Sequence, residues 1–140
     1  MHTTTAHAGP DTKRGRARAL SVAGGVLAAA VTWIVEVPLL GIHLTYSFGH
    51  GHIQTISAGQ VIVVTVVATH LGWLLLALLE RRTHNARTLW TSLALLALAA
   101  SLALPLAAAT TTSAIAGLIV MHVIVGAAAI PTMARTAQPR

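Results

Sequence analysis

Residues 57–109 read SAGQVIVVTVVATHLGWLLLALLERRTHNARTLWTSLALLALAASLALPLAAA, and this stretch decides the fold. Two long apolar runs, 57–79 and 89–109, enclose a short polar link that contains Arg81, Arg82 and Arg87. A helix of about 20 apolar residues spans the hydrocarbon core of a bilayer, so each run has the length of one transmembrane helix. The link is so short that the two helices must lie side by side in opposite directions.

Two further apolar runs flank this pair, at about 19–40 and 113–133. Of the 140 residues 55% are hydrophobic and only 9% are charged, whereas a soluble domain carries about 25% charged residues. The sequence therefore predicts an all-α membrane protein, with four transmembrane helices in an antiparallel bundle over residues 19–134. Residues 1–18 and 135–140 are polar and are predicted to be tails, the first of them basic and disordered.

Basic residues mark one end of all four runs. Lysine and arginine precede the first run, lie in the 80–88 link and follow the fourth run, whereas 41–56 and 110–113 contain none. Because basic residues concentrate on the cytoplasmic side of membrane proteins, we expect both termini and the 80–88 link in the cytoplasm and the protein in the plasma membrane. The alternative of a cleaved signal peptide does not suit a first run that is this long and continues into Glu36 and Pro38.

The connection between the first two runs has a pattern of its own. Residues 42–48 alternate between apolar and polar side chains, and a GHG turn at 49–51 separates them from HIQTI at 52–56. Two short alternating runs around a glycine-rich turn are typical of a β-hairpin. We therefore predict a short extracytoplasmic β-hairpin over 42–56, packed on the outer end of the bundle; the alternative is a disordered loop.

Several function classes are disfavoured. Cysteine is absent, which leaves no disulfide framework and no thiolate site. The net charge of +6 comes from the ends of the apolar runs, and few aromatic side chains are available to stack on bases, so nucleic acid is not an expected partner. The acids Asp11, Glu36 and Glu80 form no carboxylate pair, and no phosphate-binding loop is present. Glu80 is expected to pair with Arg81, Arg82 or Arg87 at the cytoplasmic face, where exposed ion pairs contribute little. We therefore expect no enzymatic activity and no cofactor.

Polar residues inside the apolar runs are the candidate functional residues, because an ionisable group in a membrane is costly. Gly24, Ala28, Thr32 and Glu36 recur at every fourth position of the first run. Small residues let membrane helices approach closely. We therefore predict that this stripe faces the other helices and that Glu36 points into the bundle near its outer end, where a histidine, the Thr110–Thr112 hydroxyls or hairpin N–H groups are available partners.

His70 and His122 are the other intramembrane candidates. Counted along their helices, both lie near the middle of the bilayer. In the simplest interpretation each is neutral and hydrogen-bonded to a threonine or a backbone carbonyl, so that it holds helices together. The alternatives are a proton or cation pathway with Glu36 at its outer mouth, and a haem held by both imidazoles.

Three histidines of the outer connection are weaker candidates for a metal site. His50 and His52 flank Gly51, and a hairpin would bring His43 alongside. Neutral imidazole is a common ligand of zinc, copper and nickel. However, no carboxylate or cysteine completes a site, and a polar loop tolerates solvated histidines.

Four short stretches resemble a known family. They are WIVEVPLLGIHL at 33–44, GWLLLALLERR at 72–82, the threonines at 110–112, and MH at 121–122 with IP at 130–131. They resemble a family of small four-helix membrane proteins from high-GC bacteria that is catalogued as a domain of unknown function. The resemblance spans about residues 18–135 and implies the same topology and location, without an activity.

We therefore expect an integral plasma-membrane protein with a non-enzymatic structural or accessory role. Its partners would be the lipid bilayer and either a second copy of the chain or another membrane protein. The alternative is a small proton- or cation-coupled transporter built around Glu36. A water-accessible cavity that reaches Glu36 and both intramembrane histidines would favour transport, and a dry, closely packed core would favour the structural role.

Overall fold

The computed structural model describes residues 10–48 and 51–137. Its elements are α1 (Pro10–Ile34), a π-helical turn (Val35–Leu39), β1 (Thr45–Tyr46), β2 (Gln54–Thr55), α2 (Ala58–Arg82), α3 (Ala86–Ser101), α4 (Ala103–Ala108) and α5 (Thr112–Ala134). In this part of the chain, four helical stretches are long and apolar enough to cross a membrane: Thr12–Leu39, Ala58–Arg82, Ala86–Ala108 and Thr112–Ala134. The predicted fold class is confirmed.

The first helix begins earlier than predicted. Residues 10–18, predicted to be part of a disordered tail, are the first turns of α1. Proline is well tolerated in the first turn of a helix, where its missing N–H has no partner to lose. Lysine and arginine are also good helix formers. The basic segment is therefore a helical extension of the first span.

The helices form a ring in which each packs on two neighbours. The first span packs on α5 and α2, and α3 packs on α2 and α5, whereas α2 and α5 lie across the diagonal and touch little. Two apolar clusters fill the ring. The cluster at the basic end is built on Val22, Leu76, Trp90, Met133 and Ala134. The cluster at the outer end is built on Ala29, Leu44, Val61, Leu118 and Met121.

Two prolines interrupt the spans near their outer ends. Pro38 lies in the π-helical turn, where the N–H of Leu40 reaches back to the carbonyl of Val35 at 3.0 Å. Pro105 follows the break at Leu102 that separates α3 from α4. Proline has no N–H to donate and clashes with the preceding turn, so these are the positions where a kink is expected.

The predicted hairpin is present, and it is short. Thr45 pairs with Thr55 and Tyr46 with Gln54 in an antiparallel ladder. A second set of bonds joins β1 to the outer end of the third span, where the N–H of Ser47 donates to the carbonyl of Ala108 at 2.9 Å. Because an isolated two-stranded ladder is marginal in water, this second attachment stabilises the hairpin on the bundle.

Candidate functional site

Glu36 lies inside the bundle, as predicted from its position in the first span. It is only 4% exposed and belongs to the π-helical turn that Pro38 interrupts. Both carboxyl oxygens are buried, and neither has a hydrogen-bond partner among the residues that the structure describes. The histidines, threonines and hairpin N–H groups predicted as partners therefore do not bind it. An unsatisfied buried polar group is costly, by about 1–3 kcal/mol.

The carboxyl group of Glu36 packs against a glycine of α5. A methyl group at Gly117 would lie 3.4 Å from Oε2 of Glu36 and 2.9 Å from Cδ2 of Leu44. Leu44, which precedes β1, is completely buried beside it. Thr32, one turn before Glu36, is also buried, and its hydroxyl donates to the carbonyl of Ala28 at 2.8 Å. This hydroxyl is therefore satisfied within its own helix.

A groove of about 590 Å³ runs along α1 and α5, past Glu36, to Leu40 and Ile42. Its lining is almost entirely apolar and includes Gly24, Ala28, Val31, Val120 and Ile124. Gly24 has no neighbouring atom within 4 Å of where a side chain would begin. The small residues at the inner end of the predicted stripe thus border an open groove and do not meet another helix.

The geometry of an α-helix explains why the predicted stripe is only half correct. A step of four residues advances the side chain by about 40° beyond a full turn. From Gly24 to Glu36 the stripe therefore winds about 120° around the helix. The face that is buried follows alternating steps of three and four, through Arg18, Val22, Gly25, Ala29, Thr32 and Glu36.

The intramembrane histidines are not part of this site. Nδ1 of His70 lies 2.8 Å from the carbonyl oxygen of Val66, and the exposed ring stacks on Trp73. Nδ1 of His122 lies 2.6 Å from the carbonyl oxygen of Leu118. Each imidazole is thus bonded to a carbonyl of its own helix. The simplest interpretation required each one to join two helices, and no such bond is found among the described residues. Because the His70 ring is exposed whereas the His122 ring is half-buried on another helix, the fold also gives no support to a haem held between the two rings.

Two of the three outer-loop histidines lie in the part of the chain that the structure describes. His43 and His52 are exposed, and His50 lies outside the described residues. Among the described residues, no three side chains of histidine, cysteine, aspartate or glutamate lie close enough together to hold a metal ion. A metal site at His43, His50 and His52 stays a prediction.

A second polar cluster, at the basic end, was missed by sequence reasoning. Arg18 of α1 is 5% exposed and donates to Oε1 of Glu80 in α2 at 2.6 Å. Its Nε also donates to the hydroxyl of Thr136, just beyond α5, at 3.1 Å. We had expected Glu80 to pair with Arg81, Arg82 or Arg87. The burial of Arg18 could have been predicted from its position, because it lies one turn before Val22 on the buried face of α1.

Four apolar spans in a ring, with charged and polar clusters at the two ends, define a small multi-pass membrane protein. The chain belongs to the family of unknown function DUF6069, whose model matches residues 10–139. No curated protein and no solved structure matches the chain.

Proposed function

We propose that this chain is a non-enzymatic structural or accessory protein of the plasma membrane, with both termini and the 80–88 link in the cytoplasm. The observation that carries the proposal is that the polar groups inside the spans are not linked to one another. Thr32, Thr65, Thr69, His70 and His122 each bond to a carbonyl of their own helix. A proton or ion path needs polar groups that exchange partners, and these groups are individually satisfied.

The separation of Glu36 from the histidines supports the same role. Apart from Glu36 and Thr32, the groove is bordered by apolar residues and glycines, and neither His70 nor His122 lines it. Large apolar side chains such as Leu27, Val64 and Leu96 are more than 60% exposed on the outer faces of the ring, where lipid would cover them. The partner of such a protein would be a second copy or another membrane protein.

A small proton- or cation-coupled transporter built around Glu36 is the second candidate function. The specific observation in its favour is the Glu36 carboxyl group, which is buried without a hydrogen-bond partner among the described residues. Natural proteins leave few such groups unsatisfied. A transported proton or cation would supply the missing partner for part of a cycle.

Replacing Glu36 by glutamine separates the two candidates. In proteoliposomes with an imposed pH gradient, we expect wild type and Glu36→Gln to give the same proton and monovalent-cation flux as protein-free vesicles. Glutamine keeps the size of the side chain, so both proteins should have the same far-UV circular dichroism and the same thermal midpoint within a few degrees. Wild-type flux above the vesicle background that disappears in a folded Glu36→Gln protein would contradict the accessory role and establish the transporter.

A matched control shows whether such a flux depends on the site. His52→Gln changes an exposed side chain of the outer loop that does not line the groove, and it should leave any flux unchanged.

The partner is identified by a separate experiment. Chemical cross-linking in native membranes, followed by the mass of the cross-linked product, distinguishes a second copy of the chain from another membrane protein.

A further inference from the structure

A second cavity lies at the opposite end of the bundle from Glu36, between the first turns of α1 and the end of α5. Its volume is about 630 Å³. The residues that border it are Lys13, Arg14, Ala17, Leu20, Ser21, Thr132, Arg135, Thr136 and Ala137. Three of these are basic, and among the side chains that the structure describes no acid borders the cavity.

An ion pair lies beside this cavity without bordering it. Glu80 is bonded at 2.6 Å to Arg18, and neither residue borders the cavity. Arg18 also donates to the hydroxyl of Thr136 at the cavity's edge, at 3.1 Å. The Arg18–Glu80 pair thus holds α1, α2 and the end of α5 together around the three basic residues that border the cavity.

The cavity lies at the depth of lipid phosphates. The apolar part of the first span begins at about Ala19, so the cavity wall between Ala17 and Arg14 lies about 3–8 Å beyond the hydrocarbon boundary along the helix. The headgroup layer on each side of a bilayer is about 5–8 Å thick. Leu20, which borders the cavity on its apolar side, is 63% exposed. A headgroup in the cavity would therefore have its acyl chains beside an exposed leucine.

We propose that this basic cavity binds the phosphodiester headgroup of an anionic phospholipid from the surrounding leaflet. Lysine and arginine side chains supply charge-assisted hydrogen bonds to phosphate oxygens, and basic pockets between membrane helices on the cytoplasmic side are suited to anionic headgroups. The bound lipid joins the two ends of the chain, because Lys13 and Arg14 come from α1 whereas Arg135 follows α5. A free phosphate ion offers the same phosphate oxygens as a headgroup, but it has no acyl chain that could pack against Leu20.

The test compares two double variants that each remove two positive charges from the same end of the bundle. Lys13→Gln with Arg135→Gln removes charges that border the cavity, and Arg81→Gln with Arg82→Gln removes exposed charges of α2 that do not. The purified full-length protein in detergent is titrated with phosphatidylglycerol, and with phosphatidylcholine of the same acyl chains, and the bound lipid is counted by native mass spectrometry. Circular dichroism in phosphatidylcholine nanodiscs checks that every variant folds.

We expect wild type to prefer phosphatidylglycerol and the cavity variant to bind it roughly 25-fold more weakly, because each basic residue near an anionic headgroup contributes about fivefold. The α2 variant should lose less than about twofold. Equal losses in both double variants would mean diffuse attraction to an anionic surface, and no preference over phosphatidylcholine would mean no headgroup site. Either result overturns the proposal.

Two further measurements identify the ligand and the location. Ala17→Phe places an aromatic ring in the cavity and keeps every charge, so it should also weaken phosphatidylglycerol binding; unchanged binding would place the lipid elsewhere and overturn the proposal. Inorganic phosphate at millimolar concentration should not displace the lipid. Full displacement by phosphate, lost in the cavity variant, would assign the cavity to a free anion and overturn the lipid.

Discussion

At Gly117 the absence of a side chain lets α5 pack directly on Glu36 and Leu44. Membrane helices associate through close packing of small residues, since lipid is as apolar as the helices themselves. The room at Gly117 is therefore needed both for the contact between helices and for the position of the carboxyl group.

We predict that Gly117→Ala destabilises the protein by about 2 kcal/mol, within the usual range for an overpacked core. The added methyl group would lie 2.9 Å from Cδ2 of Leu44, which is completely buried and has no space to move into. The measurement is the free energy of unfolding in mixed micelles, from a denaturant titration followed by circular dichroism.

Two other glycines calibrate this result. Gly24→Ala should not lower the free energy of unfolding and should raise it by up to about 1 kcal/mol, because nothing lies within 4 Å of the new atom and alanine is the better helix former. Gly126→Ala should fall between the two: its methyl group would lie 2.7 Å from Cδ2 of Leu98, but Leu98 is half-buried and its side chain has more freedom to move than the buried Leu44. A Gly117→Ala protein as stable as Gly24→Ala would contradict the packing described for Glu36.

The position of Glu36 could be predicted from the sequence, but its surroundings could not. A carboxylate in an apolar run must avoid lipid, and this one requirement places Glu36 inside the bundle. Which residues face it depends on how α5 and the outer connection pack, and no local pattern in the sequence encodes that packing. The same limit applies to His70 and His122, whose Nδ1 atoms bond to carbonyls of their own helices, because the sequence does not show whether a ring nitrogen bonds within its own helix or to a neighbour.

At the scale of helices, the Arg18–Glu80 ion pair joins the first two spans at the basic end. Sequence reasoning paired Glu80 with Arg81, Arg82 or Arg87. Residues one or two positions apart on a helix do not face each other, and Arg87 lies on the next helix. The partner came from another helix and was identifiable only once the buried face of α1 was known. The link between β1 and the end of the third span was missed for the same reason, although the hairpin itself followed from local alternation.

We predict that Glu80→Gln lowers the free energy of unfolding by about 3 kcal/mol. Removing one partner of a buried ion pair costs about 3–5 kcal/mol because it leaves the other charge buried and uncompensated. The side chain of Glu80 is 15% exposed and that of Arg18 is 7% exposed. Because this pair is not completely buried, the expected loss lies at the lower end of that range. Thermal and denaturant unfolding in the same micelles measure it.

Arg81→Gln is the matched control for this pair. Arg81 follows Glu80 directly but is exposed, and exposed ion pairs contribute about 0–1 kcal/mol. Its replacement should therefore change stability by no more than about 0.5 kcal/mol. Equal losses from Glu80→Gln and Arg81→Gln would show that the general charge of this end matters and that the specific pair does not.

For the whole molecule, the distribution of charge sets the orientation that we propose in the membrane. All lysines and arginines lie in 13–18, 81–87 and 135–140, and the described parts of these segments meet at one end of the ring. The opposite end holds the hairpin, the 108–110 segment and Glu36. An apolar bundle has no other marked asymmetry, so the side that faces the cytoplasm follows from these charges.

Single cysteines test this orientation directly, because the chain contains no cysteine of its own. We predict that His52→Cys reacts with a membrane-impermeant maleimide in intact cells, and that His84→Cys reacts only after the membrane is permeabilised. Both side chains are exposed in connections between helices, so access to the reagent depends on which side of the membrane each lies. Leu76→Cys, in a completely buried position, is the control that should stay unlabelled in both conditions. Labelling of His84→Cys in intact cells, with His52→Cys protected until permeabilisation, would invert the topology. The basic cavity would then face the outer leaflet, and the anionic lipid we assign to it would have to come from that leaflet.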